Sequence, residues 1–154
     1  MKYSRSLLLY EDQPSYGLFL RLLFVIVPGV LLAASVYLWS SGEGSGGLAL
    51  LAEAFLIGFI FWIVFPRSYR VYEDHLRIVL GGPFSVKVGF DRIKAIRVTR
   101  RLILSINFVT RLSWDYVEIA RKGGLSVAIT PRDNNLFVEN ANRALSEWAK
   151  KGTG

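Results

Sequence analysis

The chain has no cysteine and a single histidine among its 154 residues. Without thiols there are no disulfides, thiolate metal sites or cysteine nucleophiles, which suits a reducing cytoplasm. One imidazole excludes a histidine cluster as a metal site, and a Ser-His-Asp triad would depend on His75 alone. His75 follows Glu73-Asp74 and reads as an exposed turn residue. A phosphate-cradling glycine loop is also lacking, since Gly81-Gly82 runs into Pro83 without a Lys-Ser/Thr partner. Asp91, Asp115, Glu118 and Asp133 are scattered and read as turn, strand-face and cap residues. No residue set supports a reaction, so the expected catalytic, cofactor and metal sites are none, and the chain is expected not to be an enzyme.

Charge is nearly absent from Leu18 to Phe65. Leu22–Trp39 carries none, and Gly47–Phe65 carries only Glu53. Each run makes a helix of about 27–29 Å, enough to cross a hydrocarbon core of about 30 Å. Between them, Ser40-Ser-Gly-Glu-Gly-Ser-Gly46 is a flexible polar turn suited to an antiparallel hairpin. The expected spans are about 20–39 and 46–65, with Trp39 and Trp62 near span ends, where amphipathic rings settle. A cleaved signal peptide fits less well, because Glu11 and Asp12 precede the first run and a second span follows. Lys2, Arg5 and Arg21 precede the first run, Arg67, Arg70 and Arg77 follow the second, and the loop has no basic residue. The positive-inside rule then gives a two-pass protein of the plasma membrane with both termini cytoplasmic.

Small residues suggest how the spans meet. Gly29 and Gly58 lie equally far from the inner ends, as do Ala33 and Ala54, which predicts Gly29–Gly58 and Ala33–Ala54 contacts. Pro28 is expected to bend the first helix beside them. Glu53 is a functional candidate by default, as an ionisable group within a span. An ion path needs several polar groups in series, however, so a structural role near the headgroups, or a bond to Ser35 or Tyr37, is favoured. A small transport or channel component using Glu53 is the remotest alternative.

Residues 66–154 form one basic domain. Residues 67–154 hold sixteen Lys/Arg against eight Asp/Glu, whereas residues 1–66 hold three against four. Such a domain beside the inner leaflet is drawn to anionic headgroups. Its apolar period is two: Leu76, Ile78 and Leu80 alternate along one strand, and Phe84, Val86, Val88 and Phe90 along the next. Ser68–Glu73, Ala95–Thr99, Tyr116–Arg121 and Leu125–Thr130 read likewise, the last two as a hairpin around Lys122-Gly-Gly124. Leu102–Thr110 reads as a strand and a loop. A helix then runs to about Lys150, with Asp133 as N-cap and Phe137, Ala141, Ala144, Leu145 and Trp148 as its apolar stripe. Residues 1–17 form a cytoplasmic segment whose Leu7–Leu9 cluster either lies on the inner leaflet or docks on the domain.

The strongest charged feature is Arg92, Lys94, Arg97, Arg100 and Arg101, with Arg111 nearby. It is either a solvated strand edge that discourages aggregation or an anion-facing patch for headgroups or an acidic partner. Nucleic acid is not expected, because stacking aromatics are not interleaved with these charges.

Tyr72-Glu-Asp-His-Leu-Arg-Ile-Val-Leu-Gly-Gly-Pro-Phe84, Val88-Gly-Phe-Asp-Arg-Ile-Lys-Ala-Ile96, Val117–Gly124 and Ile129-Thr-Pro-Arg-Asp-Asn-Asn-Leu-Phe137 together resemble bacterial pleckstrin-homology-like domains. That family shows a strand ending in glycine, a turn leading to isoleucine, and a Ser/Thr-Pro segment opening the last helix, often after a two-span hairpin. The resemblance implies an α+β protein: a transmembrane hairpin, then six or seven antiparallel strands in two near-orthogonal sheets capped by a C-terminal helix. It implies no activity, since the fold serves lipid, peptide and protein binding alike. Phosphoinositide-binding relatives place basic residues at the first strand-to-strand turn, whereas this turn is Glu73-Asp74-His75. The expected function is a membrane-anchored scaffold for another membrane protein or a second copy. The alternative is a sensor of anionic inner-leaflet lipids.

Overall fold

The computed structural model describes residues 6–100, 105–111 and 115–151. Its two apolar runs form α1 (Leu18–Ser40) and α2 (Gly44–Val64). Helix α1 runs through Pro28 and ends at Ser41, where Gly42 takes the positive φ that turns the chain back. Both helices are long and apolar enough to cross a membrane, yet only 6% and 11% of their most apolar windows are buried.

The seam between the helices is aromatic at one end and polar at the other. Phe24 sits 5.1 Å from Phe61 and 4.6 Å from Phe65, ring centre to ring centre. Three turns further on, the Ser35 hydroxyl donates to the Gly47 carbonyl at 2.7 Å. A Cβ at Gly47 would stand 3.0 Å from the Ser35 carbonyl, so the backbones meet closely there. The expected Gly29–Gly58 and Ala33–Ala54 contacts are not formed. Gly29 and Ala33 are exposed, and a Cβ at Gly29 or Gly58 would meet nothing within 4 Å. Equal depth does not set rotation about the axis: at roughly 100° per residue, Gly29 and Ala33 lie about 140° and 180° round from Phe24. Ala54 is buried in the seam, while Glu53 is exposed on α2.

Among the described residues, eight strands form two four-stranded sheets. The first contains β1 (Leu8–Asp12), β2 (Ser68–Tyr72), β3 (His75–Val79) and β4 (Ser85–Gly89), in that order. The second contains β5 (Ile93–Thr99), β6 (Ser105–Phe108), β7 (Tyr116–Arg121) and β8 (Ser126–Ile129), in the order β5-β7-β8-β6. The strand beyond the expected six or seven is β1, which pairs antiparallel with β2 from Leu8↔Tyr72 to Asp12↔Tyr69. The helical hairpin is therefore an insertion between two neighbouring strands. Leu7–Leu9 belongs to the sheet side of its two expected placements. One pair departs from the antiparallel expectation: β6 runs parallel to β8, on the edge that β8 keeps free after pairing with β7.

Helix α3 (Asn134–Lys151) closes the core, and the Asp133 carboxylate caps it by accepting from the Asn135 and Leu136 amides at 3.0 Å. Its stripe meets both sheets. Phe137, Ala141 and Ala144 are buried, and Phe137 lies edge-on to Tyr10 of β1 and Tyr69 of β2. Burying such a phenyl ring contributes roughly 2–3 kcal/mol.

Candidate functional site

Strand register gives the domain two ends. Ser68 follows the hairpin at once, so Asp12, Val79 and Ser85 lie at the hairpin end of the first sheet, while Leu8, Tyr72, His75 and Gly89 lie at the far end. In the second sheet Thr99 pairs with Tyr116 and Val117 with Ile129, next to Thr130, whose carbonyl accepts from the Ser15 amide at 2.9 Å. The Thr99 end of β5 thus points towards the hairpin and the Ile93 end away.

The two parts are bonded where they meet. The Arg67 amide donates to the Val79 carbonyl at 2.6 Å, and the Gly81 amide to that of Ile63 at 3.2 Å. Gly81 approaches so closely that a Cβ would overlap the Trp62 carbonyl, and the Trp62 ring lies over Gly82. On the other side Gly17 donates to the Thr110 carbonyl at 2.9 Å. Thr110 and Thr130 are fully buried, and their hydroxyls bond to each other at 2.9 Å, to the Ser15 carbonyl and to the Thr110 amide. The Tyr16 hydroxyl donates to the Pro66 carbonyl, joining the segments that lead into and out of the hairpin. Burial raises the Tyr16 pKa against the opposing charge of Arg67.

The described basic residues are spread along β5 and beyond it rather than gathered at one point. Arg92 and Arg100 are exposed at opposite ends of β5, separated by about 23 Å of strand. Arg92 faces Asp91 at 3.8 Å. Arg97 is bonded to Glu118 at 2.8 Å, and that carboxylate, 4% exposed, also accepts from Ser126. A carboxylate buried this deeply needs its cation, so Arg97 is tied to the fold. Lys94 is exposed, whereas Arg111 is half-buried with its Nη1 3.4 Å from the Ser15 hydroxyl. Arg101 lies outside the described residues.

His75 is not the exposed turn residue expected from the sequence. It is 5% exposed, stacks on Tyr72 with ring centres 4.6 Å apart, and bonds through Nδ1 to Asp74 at 2.6 Å. The turn is too tight to project the ring outward, and Tyr72 offers it a flat apolar face. Burial would raise the Asp74 pKa, but the hydrogen bond from His75 and the charges of His75 and Lys87 outweigh it and lower it. Among the described residues no group of three metal-ligating side chains converges.

Two features were missed by sequence reasoning. Leu7, Leu8 and Leu9 are 62%, 44% and 42% exposed on the open edge of β1, at the end away from the hairpin. A cleft of about 600 Å³ lies where hairpin and domain meet, lined by Arg21 and Arg67 together with Phe24, Phe65 and Trp62. Its two arginines were legible as flanking charges of the spans, but 46 positions separate them in the chain.

Two packed sheets closed by one C-terminal helix over a mixed apolar core make this a PH-like domain. Residues 67–142 match the family described as the bacterial PH domain, and this part of the chain belongs to that family. The match begins after the hairpin and ends inside α3, so β1 and both long helices lie outside it. No curated protein and no solved structure matches the chain.

Proposed function

We propose that this chain is a non-enzymatic, membrane-anchored binding module. The α1–α2 hairpin crosses the plasma membrane with both chain termini cytoplasmic, and the bacterial PH domain stands on the inner leaflet to recruit or scaffold another membrane protein. The observation that carries this reading is the exposure of the hairpin. Two long, predominantly apolar helices, with only 6% and 11% of their most apolar windows buried, are intolerable in water, and they are stitched into the sheet by the β1–β2 pairing rather than hung on a linker. A domain held this way keeps a fixed far end, where the exposed Leu7–Leu9 edge offers backbone groups and apolar side chains for strand addition. Lipid sensing by the β5 edge has less support, because Arg92 and Arg97 already face Asp91 and Glu118. Transport through Glu53 has no series of polar groups behind it among the described residues.

Two experiments test the reading. Ser41→Cys is expected to label from outside intact cells and Thr153→Cys only after lysis; the opposite pattern overturns the orientation. Affinity purification from membranes is expected to bring down a partner protein that Leu8→Lys and Leu9→Lys release. Unchanged recovery with both substitutions would remove the β1 edge from the proposal.

A further inference from the structure

We propose that the cleft between hairpin and domain holds one anionic phospholipid of the inner leaflet, its phosphate between Arg21 and Arg67 and one acyl chain along the hairpin. This rests on the reading of the hairpin as a membrane anchor.

The cleft is layered in the way such a lipid is layered. At the domain end stand Gln13, Arg21 and Arg67, and beyond them Phe24, Phe61 and Trp62. A second hollow of about 430 Å³ lies beside it, lined by Leu32, Ala54, Phe55 and Phe59. Pro28, Gly58 and Trp62 line both hollows, so the two adjoin. From Arg21 to Leu32 the groove follows α1 for about 16 Å, close to the depth of one leaflet of a 30 Å hydrocarbon core. Its walls are apolar over that length, and its mouth is cationic.

Charge selects the headgroup. Arg21 and Arg67 are both exposed, and among the described residues neither has a carboxylate partner. The first turn of α1, which Arg21 closes, also lacks an acidic residue and a side-chain cap. Two uncompensated guanidinium groups at headgroup level match a phosphodiester, which accepts from Arg in paired hydrogen bonds. A zwitterionic lipid would bring its own cation into the same field and bind less well. Glycine at 58 keeps the groove open: it lines both hollows and a Cβ there meets nothing within 4 Å, so a larger side chain would start into the acyl track.

The test uses the full chain reconstituted in phosphatidylcholine vesicles containing a small, varied fraction of phosphatidylglycerol brominated on its acyl chains. Trp62 lines the groove and reports bromine by fluorescence quenching. A saturable phase is expected at low phosphatidylglycerol, absent with brominated phosphatidylcholine. Arg21→Gln with Arg67→Gln should raise its midpoint roughly thirtyfold, about fivefold for each arginine at the membrane surface. Gly58→Leu should abolish the phase while flotation and the far-ultraviolet spectrum stay unchanged. Lys94→Gln with Arg100→Gln, both exposed on the β5 edge, should leave it intact. Equal quenching by the two lipids, or a phase that survives both groove variants, overturns the site while leaving the anchor standing. Loss of the phase in the β5 variant alone moves lipid recognition to that edge and equally overturns the site. Failure of the wild-type chain to float with vesicles overturns the anchor itself.

Discussion

Val25, Val36, Phe55 and Phe59 of the hairpin are each more than half exposed, whereas Tyr69, Val71, Leu76 and Ile78 of the domain are at 1% or less. Both regions are rich in large apolar side chains, but they turn them in opposite directions. In the domain the apolar face of each strand turns inward every second residue, and α3 covers what the sheets leave open. In the hairpin most of the apolar surface faces outward, and the groups that meet inside are aromatic at the domain end, Phe24, Phe61 and Phe65, and small or polar further on, Ser35, Gly47 and Ala54. Water drives the first arrangement, because each Å² of apolar surface removed from it contributes about 25 cal/mol, the main favourable term. In the proposed membrane setting lipid would give no such drive between helices, and packing with the Ser35–Gly47 bond would hold the second.

The sharpest challenge to this contrast is to cut the same side chain in both regions. Phe137→Ala should cost the domain about 4 kcal/mol, while Phe24→Ala should cost the hairpin only about 1 kcal/mol, since acyl chains refill the gap. Denaturation of the reconstituted protein, followed in the near ultraviolet, measures both; equal costs would mean that the hairpin is packed like a water-soluble core. Next comes the junction. Gly81→Ala forces a Cβ into the Trp62 carbonyl and should cost about 3 kcal/mol of docking. Limited proteolysis near Pro66 would then speed up, although α1 and α2 remain helical.

Thr130→Val leaves the buried Thr110 amide without its acceptor and should lower domain stability by about 2 kcal/mol, read as a shift in thermal midpoint. Ser35→Ala, a similar deletion within the hairpin, should cost about 0.6 kcal/mol. The smallest effect is acid titration. Burial would raise the Glu11 pKa, but hydrogen bonds from Arg70 and Ser68 and the Arg70 charge lower it; Asp74 is lowered by His75 and Lys87. A depressed carboxyl stabilises the fold above its unfolded pKa, and the contribution disappears as pH falls through the folded value. The domain should therefore lose stability below about pH 4 while the hairpin signal holds, and Asp74→Asn should flatten that slope.

Much of this architecture can be read along the chain. The two apolar runs, the Asp133 cap, the α3 stripe and the β7–β8 turn each depend on residues within about twenty positions of one another, and composition and periodicity expose them. The bacterial PH resemblance has the same origin, in short motifs along residues 67–142. Harder to read were residues whose role is set by a distant neighbour. Leu8–Asp12 has the composition of a strand but pairs with residues about sixty positions on, and only closure of the hairpin brings them together. Arg97 looks like a free surface cation until Glu118 is placed beside it, and His75 looks exposed until the flat face of Tyr72 appears.

Hydropathy determined that there are two long apolar helices and one basic domain, because length, charge and period are properties of contiguous residues. Depth within the hairpin was legible for the same reason, since it is a count along one helix. Rotation about that helix was not: it depends on which side chains of α2 stand opposite, and so the glycine contacts expected from equal depth gave way to the Phe24–Ser35 seam. The meeting of Arg21 with Arg67 likewise waited on the fold, because a cleft belongs to no single segment and arises only where the chain returns from α2 to the sheet it left at β1.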